Sequence, residues 1–146
     1  MQLHPYLFFN GRCDEALAFY GKALDAEIVD LMRYKDAPAP ADAGQGSSSA
    51  ACPSMAGRLE KVMHATVRIG DTVLFASDGN EDGGPQFRGF GITIEAAGQA
   101  EARRFFDALA DGGQVTMPLG PTFFAESFGM VADRYGVLWL IIVHAR

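Results

Sequence analysis

Glu15-Ala16-Leu17-Ala18-Phe19-Tyr20 and Glu101-Ala102-Arg103-Arg104-Phe105-Phe106 decide the fold, because they are one amphipathic helix segment written twice. The offset of 86 from Glu15 to Glu101 also carries Asp25 to Asp111, Val29 to Val115 and Leu31 to Met117. Further on, Gly70 and Gly136 each precede an apolar run, now at an offset of 66. The missing stretch of about 20 residues is supplied by 35–57, rich in Ala, Pro, Ser and Gly and without periodicity, which reads as an insertion in the first copy.

Each copy reads strand, helix, then three strands. The first strands are expected at 3–9 and 90–95, and the helices at 14–24 and 99–110. Ala16, Phe19, Tyr20 and Leu24 are spaced for one helical face, as are Ala102, Phe105, Phe106 and Leu109. Asp14 is placed to cap the first helix, and Asp111-Gly112-Gly113 stops the second. Strands follow at 27–34, 61–69 and 72–77, then at 114–117, 123–131 and 137–143, with hairpins at Gly70-Asp71 and 133–136. The expected fold is α+β: two βαβββ modules in tandem forming a curved, cup-like mixed sheet with helices outside. Residues 1–146 make one domain, with module one at 1–78, a linker at 79–88 and module two at 89–146. The hollow of such a cup is a natural small-molecule site.

The 146 residues carry a formal charge of −6 and a pI near 4.9, which argues against a nucleic-acid partner. No apolar run is long enough to cross a bilayer; the longest, 137–143, suits a buried strand. No secretory leader is recognisable, so Cys13 and Cys52 are expected as reduced thiols and the protein as cytoplasmic.

Several motifs stand in order along the chain. They are Pro5-Tyr6-Leu7-Phe8-Phe9, Glu15-Ala16 with Phe19-Tyr20, Val62-Met63-His64-Ala65, Phe128-Gly129-Met130, and Asp133-Arg134-Tyr135-Gly136-Val137 with Trp139. Together they resemble the PhnB-like family, also labelled demethylubiquinone-methyltransferase-like. That family sits in the vicinal oxygen chelate superfamily of glyoxalase I, bleomycin-resistance proteins and extradiol dioxygenases. Metal-binding members of the superfamily place a His or Gln 15 residues before the helix aromatic and a Glu four residues after the hairpin glycine. The resemblance carries those positions to Pro5, Gly91, Leu74 and Leu140. None offers an imidazole, carboxylate or thiolate, so no metal is expected. A slip of one residue brings in His4, which is one donor only.

The remaining chemistry-bearing residues are few. His64, mid-strand, either faces the cup as a general base or hydrogen-bond donor, or orders a neighbouring strand. Alternation sets Phe124, Glu126 and Phe128 on one face, an acid between two phenyl rings, with Phe124 as an apolar wall for a flat ligand. Tyr6, Phe124 and Phe128 are the ligand-binding candidates, and His64 and Glu126 the catalytic ones. Cys13 stands beside Arg12 before the first helix, without a neighbouring His to make it a nucleophile pair. Asp78 and Asp133 are accounted for by turns. No nucleotide-binding glycine fingerprint, P-loop, nucleophile elbow or S-adenosylmethionine-type loop is present, so no cofactor is expected and a methyltransferase activity has no residues behind it. Three functions fit: metal-independent binding of a small organic ligand, a lyase or isomerase using His64 and Glu126, and an interaction domain without substrate. The family resemblance implies a homodimer.

Overall fold

The computed structural model of the chain describes residues 1–37, 58–79 and 85–146. Most of the expected insertion (38–57, with Cys52) and part of the linker (80–84) lie outside the described residues. The fold is α+β, two βαβββ modules in tandem. Module one runs β1 (Tyr6–Phe8), α1 (Cys13–Ala23), β2 (Glu27–Arg33), β3 (Val62–Ile69) and β4 (Thr72–Ser77), with a short 3-10 turn at Tyr34–Asp36. Module two runs β5 (Ile92–Glu95), α2 (Gln99–Ala110), β6 (Gln114–Gly120), β7 (Ala125–Ala132) and β8 (Leu138–His144). The two four-stranded sheets have the same order, β1-β4-β3-β2 and β5-β8-β7-β6, each with its first strand parallel to its last. The chain forms two compact units, residues 1–21 with 25–83, and 84–146 with 22–24.

Each sheet has one buried face and one open face, because side chains alternate along a strand. In sheet one Leu7, Ala65, Val67, Leu74 and Ala76 are buried; in sheet two Val131, Trp139, Ile141 and Val143 are. Helix α2 buries Ala102, Phe106 and Leu109. Phe106 lies so near β7 that a Cβ at Gly129 would stand 2.8 Å from its ring and 2.9 Å from the Leu119 Cα. A glycine in mid-strand is explained by that close approach.

The start of α1 departs from expectation. Asp14 does not cap it; its carboxylate instead takes two hydrogen bonds from the Arg33 guanidinium, at 2.8 and 2.9 Å. The cap comes from Asp78, a residue remote in sequence and buried. Its Oδ1 accepts from the backbone N–H of Gly11 and Cys13, and its Oδ2 from that of Val62. One carboxylate thus ties the end of β4 to the approach of α1 and the start of β3. Asp133 does comparable work in module two, accepting from the N–H of Tyr135 and Val137 and from Trp139 Nε1.

The registers also adjust the correspondence between modules. Ladder pairs Tyr6↔Phe75 and Thr93↔Leu140 occupy the same place, two residues before the acceptors of the bonds Phe9 N–H to Ser77 C=O and Ala96 N–H to Ile142 C=O. The irregularity between Ile28 and Asp30 recurs between Val115 and Met117, so Val29 matches Thr116, not Val115. Leu31 to Met117 shifts likewise, to Asp30 with Met117. The helix lengths, 11 residues in α1 and 12 in α2, cause this, and two loops add shifts of their own. Asn10-Gly11-Arg12 joins the last rung to α1, whereas only Ala97-Gly98 joins it to α2. The hairpin after Ile69 turns on Gly70-Asp71, while 133–137 close the one after Ala132.

Strand limits differ from the expected ones at the ends of β6 and β7. β6 extends through Pro118, which an edge strand tolerates. β7 starts at Ala125 because Thr122 Oγ1 accepts from the N–H of Phe124 and Ala125, turning Phe123 fully outward.

Candidate functional site

The open face of sheet one gathers its chemistry in one place. Residues facing each other across strands share a side of the sheet, so Tyr6, Phe75 and Thr66 form one row through β1, β4 and β3. His64, one pleat along β3, shares a 2.8 Å hydrogen bond between Nδ1 and Tyr6 Oη, and one of 3.2 Å between Nε2 and Thr66 Oγ1. Phe75 stands at the centre, its ring 5.0 Å from His4, 5.1 Å from His64 and 5.7 Å from Tyr6. Phe8 stacks on Tyr6 at 4.8 Å with the rings within 8° of parallel. Burial raises the Tyr6 phenol above its ordinary range, with smaller pushes from Tyr34 and Cys13, so the group stays protonated. His4 Nδ1 donates to the Val73 carbonyl at 3.0 Å, which leaves Nε2 as its acceptor nitrogen.

The candidates in module two divide. Phe124 and Phe128 meet edge to face, 5.2 Å apart. Glu126 sits at the irregularity between Ala125 and Ser127 and accepts a 2.8 Å hydrogen bond from Gln99 Nε2. It is therefore tied to the start of α2, whereas alternation alone set it between the phenyl rings. A cleft of about 590 Å³ opens there, walled by Ala97, Gly98, Gln99, Glu126 and His144. His144 is exposed and lies 3.3 Å from the Glu95 carboxylate. His64 and Glu126 belong to different units, each held by partners of its own unit. Cys13 is fully buried, and burial, then the Asp78 and Asp14 carboxylates, push its thiol far above the usual range. It is a core residue, not an activated nucleophile.

A model of the glyoxalase/bleomycin resistance protein/dioxygenase superfamily matches residues 2–141. The chain belongs to this superfamily. Within it, Protein YjdN of Escherichia coli strain K12 is 35% identical over 144 residues, covering 98% of this chain and 95% of that protein. The solved structure of PA1353 from Pseudomonas aeruginosa is 39% identical, with a TM-score of 0.79 and coverage of 99% and 98%. That of the PhnB protein from Bacillus cereus is 26% identical, with a TM-score of 0.74 and coverage of 98% and 99%. The chain is a PhnB-like member of the superfamily.

The superfamily's metal positions can now be placed in space. Gly91 and Leu140 do adjoin, since a Cβ on Gly91 would collide with Leu140 Cδ1. In module one the longer strand-to-helix loop moves the first position to His4 in place of Pro5, and the shorter hairpin moves the second to Phe75 in place of Leu74. Leu74 is buried in the core. The four positions are thus His4, Phe75, Gly91 and Leu140, with one donor side chain among them. Such a set does not fit a divalent ion, which needs several donors. Among the described residues, no group of three His, Cys, Asp or Glu side chains is placed to hold a metal ion. No described helix is long and apolar enough to cross a membrane.

Sequence reasoning missed Phe8, Phe75 and Thr66 as members of this face. Their signal was there: Tyr6-Leu7-Phe8 and Val73-Leu74-Phe75 alternate, but the pairing that joins them across the sheet is not written locally.

Proposed function

We propose that this protein binds a small organic ligand without a metal, on the open face of sheet one. The observation that carries this is the cluster of Tyr6, Phe8, Phe75 and His64, aromatic, hydrogen-bonded and open, with Tyr6 40% and Phe8 49% exposed. Clustered aromatic surface left facing water is a feature of binding faces. Phe124 and Phe128 offer a smaller aromatic pair in module two. An acid–base enzyme would rest on His64 and Glu126. Both ring nitrogens of His64 and the Glu126 carboxylate already hold protein partners, which favours binding over proton transfer.

We propose further that the protein is a cytoplasmic homodimer. Ile28, Val29 and Met32 on edge strand β2, and Val115 and Met117 on edge strand β6, are exposed apolar residues suited to a second copy. Calorimetry against a metabolite panel, with and without EDTA, tests the binding reading. Binding that survives chelation supports it; binding seen only after metal loading contradicts it. Light scattering on the purified chain reads the dimer directly.

A further inference from the structure

The open face of sheet one holds a polar line inside an aromatic setting. It runs from Tyr6 Oη through the His64 imidazole to Thr66 Oγ1. A neutral imidazole has one N–H donor and one acceptor nitrogen, so this line takes one of two senses. In one, Tyr6 donates to Nδ1 and offers its oxygen lone pairs outward. In the other, Nδ1–H donates to the Tyr6 oxygen and the phenol O–H points outward. Passing between them moves the imidazole proton from one nitrogen to the other and changes no net charge. Both ring nitrogens stay engaged in either sense, so the group left to meet a ligand is the Tyr6 hydroxyl.

The surroundings set what that ligand can be. The Tyr6 and Phe8 rings are parallel and exposed, and Phe75 buttresses Tyr6 edge-on, 63° from its plane. The rings meet one another and His64, all uncharged in the neutral imidazole form. At the border, Arg68 and Glu27 neutralise each other, and Asp30, across from Thr66 on edge strand β2, stands two strands from Phe75 and three from Tyr6. A flat aromatic stack whose row holds its carboxylate, Asp30, only at the far edge strand favours a flat uncharged partner.

Resting on the binding reading above, we infer that this face takes a planar, uncharged, conjugated molecule with a hydrogen-bonding group at its edge. Its ring lies on the Tyr6–Phe8 stack, its edge is read by the Tyr6 hydroxyl, and His64 is the positioning residue that sets the direction of that hydroxyl.

The test uses the full chain in EDTA with four probes: 2-naphthol, naphthalene, saturated 2-decalol and 2-naphthalenesulfonate. Affinities come from calorimetry, and placement from NMR shifts of sheet-one residues. 2-Naphthol should bind about tenfold more tightly than each of the others. Tyr6→Phe should remove its advantage over naphthalene while leaving naphthalene within about twofold, as loss of one hydrogen bond requires. His64→Ala should weaken 2-naphthol about threefold, and His64→Gln, which keeps a donor and an acceptor, should restore it. In the wild type, the 15N shifts of the His64 ring should change toward one tautomer when 2-naphthol binds. Equal or tighter binding of 2-decalol or the sulfonate overturns the inference, as does a Tyr6→Phe protein that loses both aromatic probes alike with its spectrum otherwise intact. If no probe binds while some panel metabolite does, the inference falls and the binding reading stands. If neither probes nor metabolites bind, both fall.

Discussion

Modules one and two share a strand order, a bulge and a buried aspartate, yet their open faces differ in kind. Where module one places His4, Tyr6, Thr66 and Phe75, module two places Gly91, Thr93, Met130 and Leu140. The backbone plan fixes where a side chain points; it leaves open what chemistry stands there. Module one carries the Tyr6–His64–Thr66 hydrogen bonds beside Phe75, whereas module two has no aromatic ring at these four places and keeps its pair, Phe124 and Phe128, elsewhere along the chain. Loop lengths separate them further, since one residue more before α1 than before α2 moves every count made from the helix.

That contrast can be broken most forcefully at the aspartates. Asp78→Ala strands two buried backbone N–H groups and a part-buried one, and should lower stability by about 3 kcal/mol, read as a fall in the urea midpoint. Asp133→Ala should act similarly in module two, because Trp139 loses its acceptor along with two backbone groups. Equal, small effects at both sites would show that these carboxylates do not organise their loops.

The next comparison lies beneath the sheets. Gly129 and Ala65 occupy matching places, since Gly129 pairs with Ile141 where Ala65 pairs with Ala76. Gly129→Ala should destabilise by roughly 2 kcal/mol, because Phe106 and the Leu119 backbone block a methyl group. Ala65→Gly should cost only about 1 kcal/mol, through chain entropy.

Cys13 gives a chemical contrast with an exposed thiol. In a Cys52→Ser background, native Cys13 should resist iodoacetamide until the protein is unfolded. Its thiol stays protonated in the fold while an unfolded thiol ionises above about pH 8.5, so the stability it contributes is complete below that pH and declines as pH rises beyond it. Cys13→Ala should flatten that alkaline decline.

The smallest effect is expected at the helix ends. Asp25 holds φ +55 after α1, where Gly112 holds φ +75 after α2. Asp25→Gly should stabilise by about 0.5 kcal/mol and Gly112→Ala should destabilise by about 1 kcal/mol, both measurable as melting shifts.

Much of this architecture was legible in the chain. Helical spacing around Phe19-Tyr20 and Phe105-Phe106, and the glycines at 70 and 136, mark the modules because periodicity and turn chemistry are local properties. The site was legible only in part. Tyr6 and His64 stood out as residues, but their hydrogen bond joins strands 58 positions apart, and local patterns carry no information about such pairing. Glu126 was placed on the right strand, yet an irregularity at that point redirects its carboxylate to Gln99. Counting to Pro5 missed by one because the extra residue before α1 leaves no apolar signature, and counting to Leu74 because the two hairpins differ in length.

Module one's open face is proposed to bind an organic ligand without a metal. An NMR titration of the full chain with 2-naphthol in EDTA tests it most directly. Shifts should gather at Tyr6, Phe8, His64, Thr66 and Phe75, and in Tyr6→Phe should need about tenfold more 2-naphthol. Shifts that appear only after adding a divalent metal, or that gather instead at Gln99, Glu126 and His144, would contradict it.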